Sequence, residues 1–207
     1  MRVASVPVLN NPAARRLASG IIEPPARFLL RLHVAPDFVT VFGTVGAGAA
    51  ALICFPTGDF GLGVLLIAVF AVSDLLDGTM ARLAGTSGPW GNFLDATLDR
   101  IADGAIFGGL IIWAAINGEV GTVCAGTLAL VMGQVTSYAK ARAEAVGATA
   151  NVGIAERAER LMAVLAAALL TAFGVPYVLP AVLWLLGILG LVTIIQRMAV
   201  VRKQLKP

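Results

Sequence analysis

Residues 74–99, which read DLLDGTMARLAGTSGPWGNFLDATLD, decide how this chain folds and what it can bind. Two pairs of aspartates lie in this stretch, Asp74 with Asp77 and Asp95 with Asp99. On helices, spacings of three and four residues place both carboxylates of a pair on one face. The flanking segments are apolar enough to lie in a membrane, where an ionised aspartate costs at least about 2.5 kcal/mol. The carboxylates therefore need a positive partner, and Mg²⁺ or Mn²⁺ suits their oxygen ligands.

The composition indicates an integral membrane protein. Of the 207 residues, 58% are hydrophobic and 13% are charged, and the mean hydropathy is +0.89. A soluble domain carries about twice that charged fraction, which excludes a soluble enzyme. We expect residues 1–35 to form an interfacial arm, in which Pro24 and Pro25 interrupt any helix and an amphipathic helix follows them. Residues 36–207 are predicted to form one membrane domain, surrounded by lipid and without a nucleic-acid partner.

Six apolar segments follow the arm, each about 20 residues long, as a hydrocarbon core of roughly 30 Å requires. The sequence shows no alternating ten-residue strand pattern, so we predict an all-α protein with six transmembrane helices. Gly104 and Gly108 form a small-xxx-small pair where another helix can approach closely. The predicted spans cover residues 36–56, 61–83, 91–117, 120–138, 156–175 and 178–201.

The positive charges predict how these spans are oriented. All fifteen Lys and Arg residues lie in the N-terminal arm, the second-to-third loop, the fourth-to-fifth loop, the end of the sixth span, or the helix ends beside them. Six spans place these regions on one side, which the positive-inside rule makes cytoplasmic, together with both termini. The aspartates then lie near the cytoplasmic ends of the second and third spans. Such a shallow site suits an enzyme better than a transport path, whose carboxylates belong nearer mid-bilayer.

Small and basic residues accompany the first aspartate pair. Gly78 and Ala81 lie on the face that carries Asp74, where they leave space for a ligand. Arg82 follows at the mouth of the site, where its guanidinium can bind a phosphate. Carboxylates that hold metal ions beside small residues and an arginine suit phosphate-ester chemistry.

The complete pattern is Asp-x2-Asp-Gly-x2-Ala-Arg-x8-Gly-x3-Asp-x3-Asp, and residues 74–99 fill every fixed position. It resembles the signature of the CDP-alcohol phosphatidyltransferase family. The resemblance implies six transmembrane helices, a homodimer in the bacterial plasma (inner) membrane and a site for two Mg²⁺ or Mn²⁺ ions. It also implies transfer of a phosphatidyl group from a CDP-linked lipid to an alcohol, with release of CMP.

The same resemblance implies roles for particular residues. Asp74, Asp77 and Asp95 would be metal ligands, while Asp99 would complete the metal site and act as general base on the acceptor hydroxyl. Asp37 stands in an element where the family usually has Asn. The residues implied to bind the CDP-lipid are Pro36, Asp37, Thr40, Gly78, Ala81, Arg82 and Gly91. Asp103 lies outside the signature, and we expect it to be a structural partner of Arg100 or of a neighbouring helix.

A second polar group predicts the acceptor. Arg157 and Arg160 can share a helix face, and Arg197 lies about one turn inside the end of the sixth span, where its desolvation requires an anion. Positive-inside anchoring is the alternative interpretation of these charges. The residues predicted to bind an acceptor phosphate are Ser137, Lys140, Arg142, Arg157, Arg160 and Arg197.

The runs at residues 137–144 and 153–157 resemble those of the bacterial phosphatidylinositol phosphate synthases, a branch of this family. That branch implies CDP-diacylglycerol as donor and inositol 1-phosphate as acceptor, giving phosphatidylinositol phosphate and CMP. A phosphatidylglycerophosphate synthase that uses glycerol 3-phosphate is the close alternative, because it also needs an anion pocket. A divalent-cation transporter that uses the same carboxylates is the alternative from another class.

Overall fold

A computed structural model describes the main chain of residues 12–154 and 156–206, and the side chains from residue 20 onward. The chain is all-helical in these ranges, which confirms the predicted fold class at that level. Turns and short loops connect the helices. The seven helices described are α1 (Pro12–Arg31), α2 (Pro36–Cys54), α3 (Phe60–Ala84), α4 (Pro89–Ile116), α5 (Val120–Ala145), α6 (Arg157–Ala172) and α7 (Val178–Leu205).

Helix α1 continues through Pro24 and Pro25, so the expectation that this pair interrupts the helix is wrong. Two prolines remove two main-chain donors and crowd the preceding turn, which destabilises a helix by itself. Here tertiary packing compensates. Ala26 directly follows the prolines, is fully buried, and packs in a cluster with Val39 and Met80.

Four of the helices in the described ranges are long and apolar enough to cross a membrane, namely α2, α3, α5 and α7. Helix α6 has only 16 residues. Helix α4 has 28 residues, but the last 18 of them include Asp99, Arg100 and Asp103. The structure therefore shows a multi-pass helical membrane protein. Among the described residues, four helices rather than six meet the length and hydropathy expected of a membrane span.

Helix α5 extends to Ala145, seven residues beyond the predicted end of its span at Tyr138. The added residues are Ala, Lys, Arg and Glu, which are strong helix formers that carry the helix out of the apolar segment. The helix stops before Gly147, whose φ of +76° is typical of a helix C-terminus. The main-chain nitrogen of Ala148 then donates to the carbonyl of Ala143 at 2.9 Å.

The chain divides into two compact units. The first contains the chain up to Gly46 together with residues 68–99, and its core is the cluster around Ala26 and Met80. The second contains residues 47–67 and the chain from Arg100 onward. Its larger core includes Phe55, Leu110 and Leu183, with α7 packed against both α5 and α6.

Close helix packing in the second unit occurs one residue away from the predicted glycine pair. A Cβ added at Gly109 would lie 2.5 Å from the carbonyl oxygen of Ala51, which real contacts do not permit. A Cβ at Gly104 would meet nothing within 4 Å, and one at Gly108 would lie 4.0 Å from the Leu52 side chain. Gly109 is therefore the residue that allows two backbones to approach.

Candidate active site

The first unit brings three of the four signature aspartates together. Asp74 and Asp77 lie in the last third of α3, and Asp95 lies in the first part of α4. Asp77 is half-buried and close enough to Asp74 and Asp95 for the negative charges to repel one another. The side chain of Thr40 on α2 lies beside Asp77. Asp99 is half-buried one turn beyond Asp95.

These carboxylates fit a hard divalent cation by their chemistry, because mutually repelling anionic oxygen donors are the ligands that Mg²⁺ and Mn²⁺ prefer. Within residues 12–154 and 156–206, however, no three His, Cys, Asp or Glu side chains are already arranged to hold a metal ion. The roles of Asp74, Asp77, Asp95 and Asp99 as ligands therefore remain predictions.

Arg82 is held against its own helix, next to the small residues of the signature. Its Nη2 donates to Oγ1 of Thr79 at 2.8 Å, and that hydroxyl donates to the carbonyl of Leu75 at 2.8 Å. A Cβ added at Gly78 would lie 3.8 Å from Nη1 of Arg82. The guanidinium thus lies beside Gly78 at an exposed position, where it can bind a phosphate. In the second half of the signature, Gly91 has open space around it.

The start of α2 contacts both halves of the signature within the first unit. Pro36 occupies the first position of the helix, where its missing donor costs nothing. Thr40 lies beside Asp77 on α3, and its hydroxyl donates to the carbonyl of Pro36 at 3.2 Å. Asp37 accepts a hydrogen bond of 2.8 Å from Nε1 of Trp90 on α4. Sequence reasoning missed Trp90, because no spacing rule distinguishes an aromatic residue at the start of a helix.

The second unit contains a cluster of positive charges. Arg160 is 7% exposed, the least exposed arginine in the described ranges, and its guanidinium packs over Gly133. The charges of Arg100, Arg157 and Arg197 repel it. Such an arrangement is stable only when anions compensate it. The structure thus brings together Arg157, Arg160 and Arg197, three of the predicted acceptor-binding residues.

Asp103 is the carboxylate that acts on Arg100, Arg157 and Arg160, while Glu144 and Glu156 attract Arg197. Its Oδ1 lies 3.1 Å from Nε of Arg157, and its Oδ2 lies 3.4 Å from Nη1 of Arg100. The expectation that Asp103 is a structural partner of Arg100 or a neighbouring helix is confirmed on both counts. Arg100 also donates to the hydroxyl of Ser137, and its carbonyl accepts from Nε2 of Gln134 at 3.1 Å. Arg100 was missed as a member of the cluster, although its spacing from Asp103 could have indicated it.

Arg197 is anchored by main-chain oxygens. Its Nε donates to the carbonyl of Val152 at 2.9 Å, and its Nη1 donates to the carbonyl of Thr136 at 2.5 Å. The desolvation of Arg197 is thus partly compensated within the protein. Lys140 and Arg142 are exposed at the end of α5, which suits positive-inside anchoring as well as ligand binding.

Comparison with known proteins decides between the two classes of protein that the sequence left open, an enzyme and a transporter. Residues 33–200 match the CDP-alcohol phosphatidyltransferase family. The chain belongs to this family. The predicted family and the predicted class of enzyme, a transferase of phospholipid synthesis, are confirmed. The alternative of a divalent-cation transporter is set aside.

Relatives within the CDP-alcohol phosphatidyltransferase family cover most of the chain. A phosphatidylinositol phosphate synthase of Streptomyces avermitilis is 47% identical over 202 residues, which are 94% of this chain and 83% of the relative. One of Mycobacteroides abscessus is 46% identical over 191 residues, which are 91% of this chain and 87% of the relative.

Solved structures of a CDP-alcohol phosphatidyltransferase share the fold. The Mycobacterium tuberculosis phosphatidylinositol phosphate synthase with CDP-DAG bound has a TM-score of 0.84 and 42% identity, over 88% of this chain and 94% of that one. Its complex with manganese and citrate has a TM-score of 0.83 and 43% identity, over 86% of this chain and 87% of that one. A divalent metal and a CDP-lipid are therefore found in a protein of the same fold.

Proposed function

We propose that this chain transfers the phosphatidyl group of CDP-diacylglycerol to inositol 1-phosphate, giving phosphatidylinositol phosphate and CMP. The observation that carries this proposal is the arginine cluster around Asp103 in the second unit. Four arginines lie together here: Asp103 attracts three of them, and Glu144 and Glu156 attract Arg197. A phosphorylated acceptor can bind such a cluster through its phosphate, whereas a neutral alcohol cannot. The relatives that match most of the chain support inositol phosphate as that acceptor.

The first unit supplies the donor site in this proposal. Gly78, Ala81 and Gly91 leave room for the nucleotide, and Arg82 binds the pyrophosphate. Asp37 and Thr40, at the start of α2, hold the nucleotide through the positions that Trp90 and Asp77 give them. Pro36 fixes the beginning of that helix.

Asp74, Asp77, Asp95 and Asp99 hold the metal, for which we propose two Mg²⁺ or Mn²⁺ ions per protomer. When bound, the metal supplies positive charge that stabilises the pyrophosphate and the departing CMP. Asp99 accepts the proton of the acceptor hydroxyl, whose oxygen then forms a bond to the β-phosphorus of CDP-diacylglycerol. The bond between that phosphorus and the oxygen of CMP breaks, and CMP leaves with its electron pair.

Ser137, Arg157, Arg160 and Arg197 orient the acceptor through its phosphate, assisted by the exposed Lys140 and Arg142. Paired arginine donors match the geometry of phosphate oxygens, so they fix the acceptor in position as well as binding it. The same charges would also accept glycerol 3-phosphate, which keeps a phosphatidylglycerophosphate synthase as the second candidate.

The membrane arrangement that accompanies this function has α4 and α6 as further spans, which makes six. Both termini and the active site then face the cytoplasm of a bacterial cell, as the distribution of Lys and Arg favours. We further propose a homodimer in the plasma membrane. These statements follow from the charge pattern and the family resemblance.

CMP release tests the proposed function. Purified protein is supplied with CDP-diacylglycerol and Mg²⁺ or Mn²⁺, and CMP is measured with inositol 1-phosphate, inositol, glycerol 3-phosphate or serine in parallel. Release only with inositol 1-phosphate is expected. Release with glycerol 3-phosphate alone would move the chain to the second candidate, and no release from folded, metal-loaded protein would overturn the transfer reaction.

A further inference from the structure

Asp103 is the buried carboxylate of the second unit, and it lies outside the signature. It is 7% exposed, and both of its oxygens are used: one faces Arg157 on α6 and the other faces Arg100 on α4. Its charge also attracts Arg160. A single carboxylate thus bridges two helices and acts on three of the four arginines in the cluster.

The contacts of Asp103 constrain the orientation of two guanidinium groups as well as compensating their positive charge. The bond to Arg157 is made by Nε, which ties that guanidinium on α6 to the carboxylate on α4. The guanidinium of Arg100 is constrained by Asp103 and by the hydroxyl of Ser137, while Gln134 donates to the main-chain carbonyl of the same residue. Four like charges without such a partner would separate, since their mutual repulsion is strong where water is scarce.

We propose that Asp103 is a positioning residue, which holds the arginine cluster in the arrangement that binds the acceptor phosphate. This inference rests on the proposed function. It gives Asp103 no contact with either substrate and no part in proton transfer. Its effect passes through Arg100 and Arg157.

Two physical expectations for Asp103→Asn have opposite signs, which makes the test decisive. If Asp103 only reduces the positive charge, its neutralisation strengthens the attraction for phosphate and lowers the acceptor KM. If Asp103 positions the arginines, neutralisation loosens them and raises the acceptor KM by at least about 30-fold, the lower end of the effect of removing one partner of a buried charge pair. The KM for CDP-diacylglycerol should stay within about twofold in the second case.

The experiment measures CMP release while inositol 1-phosphate and CDP-diacylglycerol are varied in turn. Glu119→Gln is the matched control, because it makes the same chemical change at an exposed carboxylate of this unit, whose hydrogen bond from Thr122 glutamine can retain. We expect wild-type KM values from the control. An acceptor KM that is unchanged or lower in Asp103→Asn would overturn the inference, as would an equal rise in both KM values.

Arg157→Lys tests the inference if Asp103→Asn does not fold. Lysine keeps the charge but lacks the planar fork that Asp103 orients, so the acceptor KM should rise. An unchanged acceptor KM in folded Arg157→Lys would also overturn the inference. The wild-type protein separates this result from the parent proposal: if it releases no CMP with inositol 1-phosphate, the proposed function fails, whereas if it is active, only the role of Asp103 is at issue.

Discussion

At the scale of single residues, Asp99 carries the proposed proton transfer. Asp99→Asn keeps the size and shape of the side chain but removes its basicity, so kcat should fall at least about 100-fold, the usual contribution of a general base. Asp59→Asn, in the exposed turn after α2, should leave kcat unchanged. CMP release measures kcat for both variants. Their elution as folded protein shows that each substitution leaves the fold intact. Near wild-type turnover in Asp99→Asn would remove Asp99 from the mechanism.

Trp90 gives a second prediction at this scale. Trp90→Phe removes the indole donor that holds Asp37, and we expect the KM for CDP-diacylglycerol to rise about threefold, the value of one modest hydrogen bond. The acceptor KM should not change. Trp184→Phe, at a half-exposed position on α7, serves as the control. Equal CDP-lipid KM values in wild type and Trp90→Phe would show that Asp37 needs no such support.

The residues themselves were predictable to different degrees. The signature aspartates were singled out because their cost in a membrane makes them conspicuous, and their role as metal ligands stays a prediction. Asp103 was recognised as a structural partner for the same reason. Trp90 and Arg100 were not assigned to a site, because a tryptophan near an interface and an arginine at a helix end are ordinary there.

At the scale of helices, the six apolar segments appear as α2 to α7 with starts within about two residues of those expected from hydropathy. Prediction from the sequence failed where tertiary contacts outweigh the local preference of the residues. Pro24 and Pro25 break an isolated helix, yet the buried Ala26 anchors α1 through them. The exposed polar end of α5 also stayed helical, because hydropathy marks where a membrane ends rather than where a helix ends.

Gly109 allows a stability prediction for α4. Gly109→Ala places a methyl group against the main chain of Ala51, and such overpacking destabilises a core by about 1–3 kcal/mol. Gly104→Ala, on the same helix, meets no atom and should be neutral or slightly stabilising. Thermal unfolding in detergent compares the two variants. A melting temperature for Gly109→Ala equal to that of Gly104→Ala would contradict the close contact.

Side chains on one face of α7 form hydrogen bonds with the loop that leads into α6. Thr193, Arg197 and Gln204 lie on the same side of the helix, since their spacings of four and seven residues return to one face. Thr193 accepts from the main-chain nitrogen of Ile154 at 3.3 Å. Gln204 binds the main chain of Thr149 twice, accepting from its nitrogen at 2.9 Å and donating to its carbonyl at 2.7 Å.

Gln204→Ala tests whether this face of α7 stabilises the loop. Removing the acceptor should speed hydrogen exchange of the Thr149 amide about fivefold, which corresponds to one net hydrogen bond of roughly 1 kcal/mol. Gln196→Ala is the matched control, because Gln196 lies exposed on another side of α7. Mass spectrometry of peptides that cover residues 146–154 gives the rates. Identical exchange in both variants would show that the loop does not depend on Gln204.

At the scale of the whole molecule, the family was predictable from 26 contiguous residues, because a signature with eight fixed positions is local in the sequence. The division into two units was not predictable. It depends on which segments pack together, and hydropathy treats every apolar span alike. Each unit is assembled from segments that are distant in the sequence, so no change in composition marks the boundary.

That division has a consequence for how such a protein can diversify. Every signature residue lies in the first unit, whereas Asp103 and its arginines lie in the second. Under the proposed roles, a lineage could change the alcohol it accepts by substitutions in the second unit, from Arg100 onward, while the segments proposed to bind the activated lipid stay unchanged.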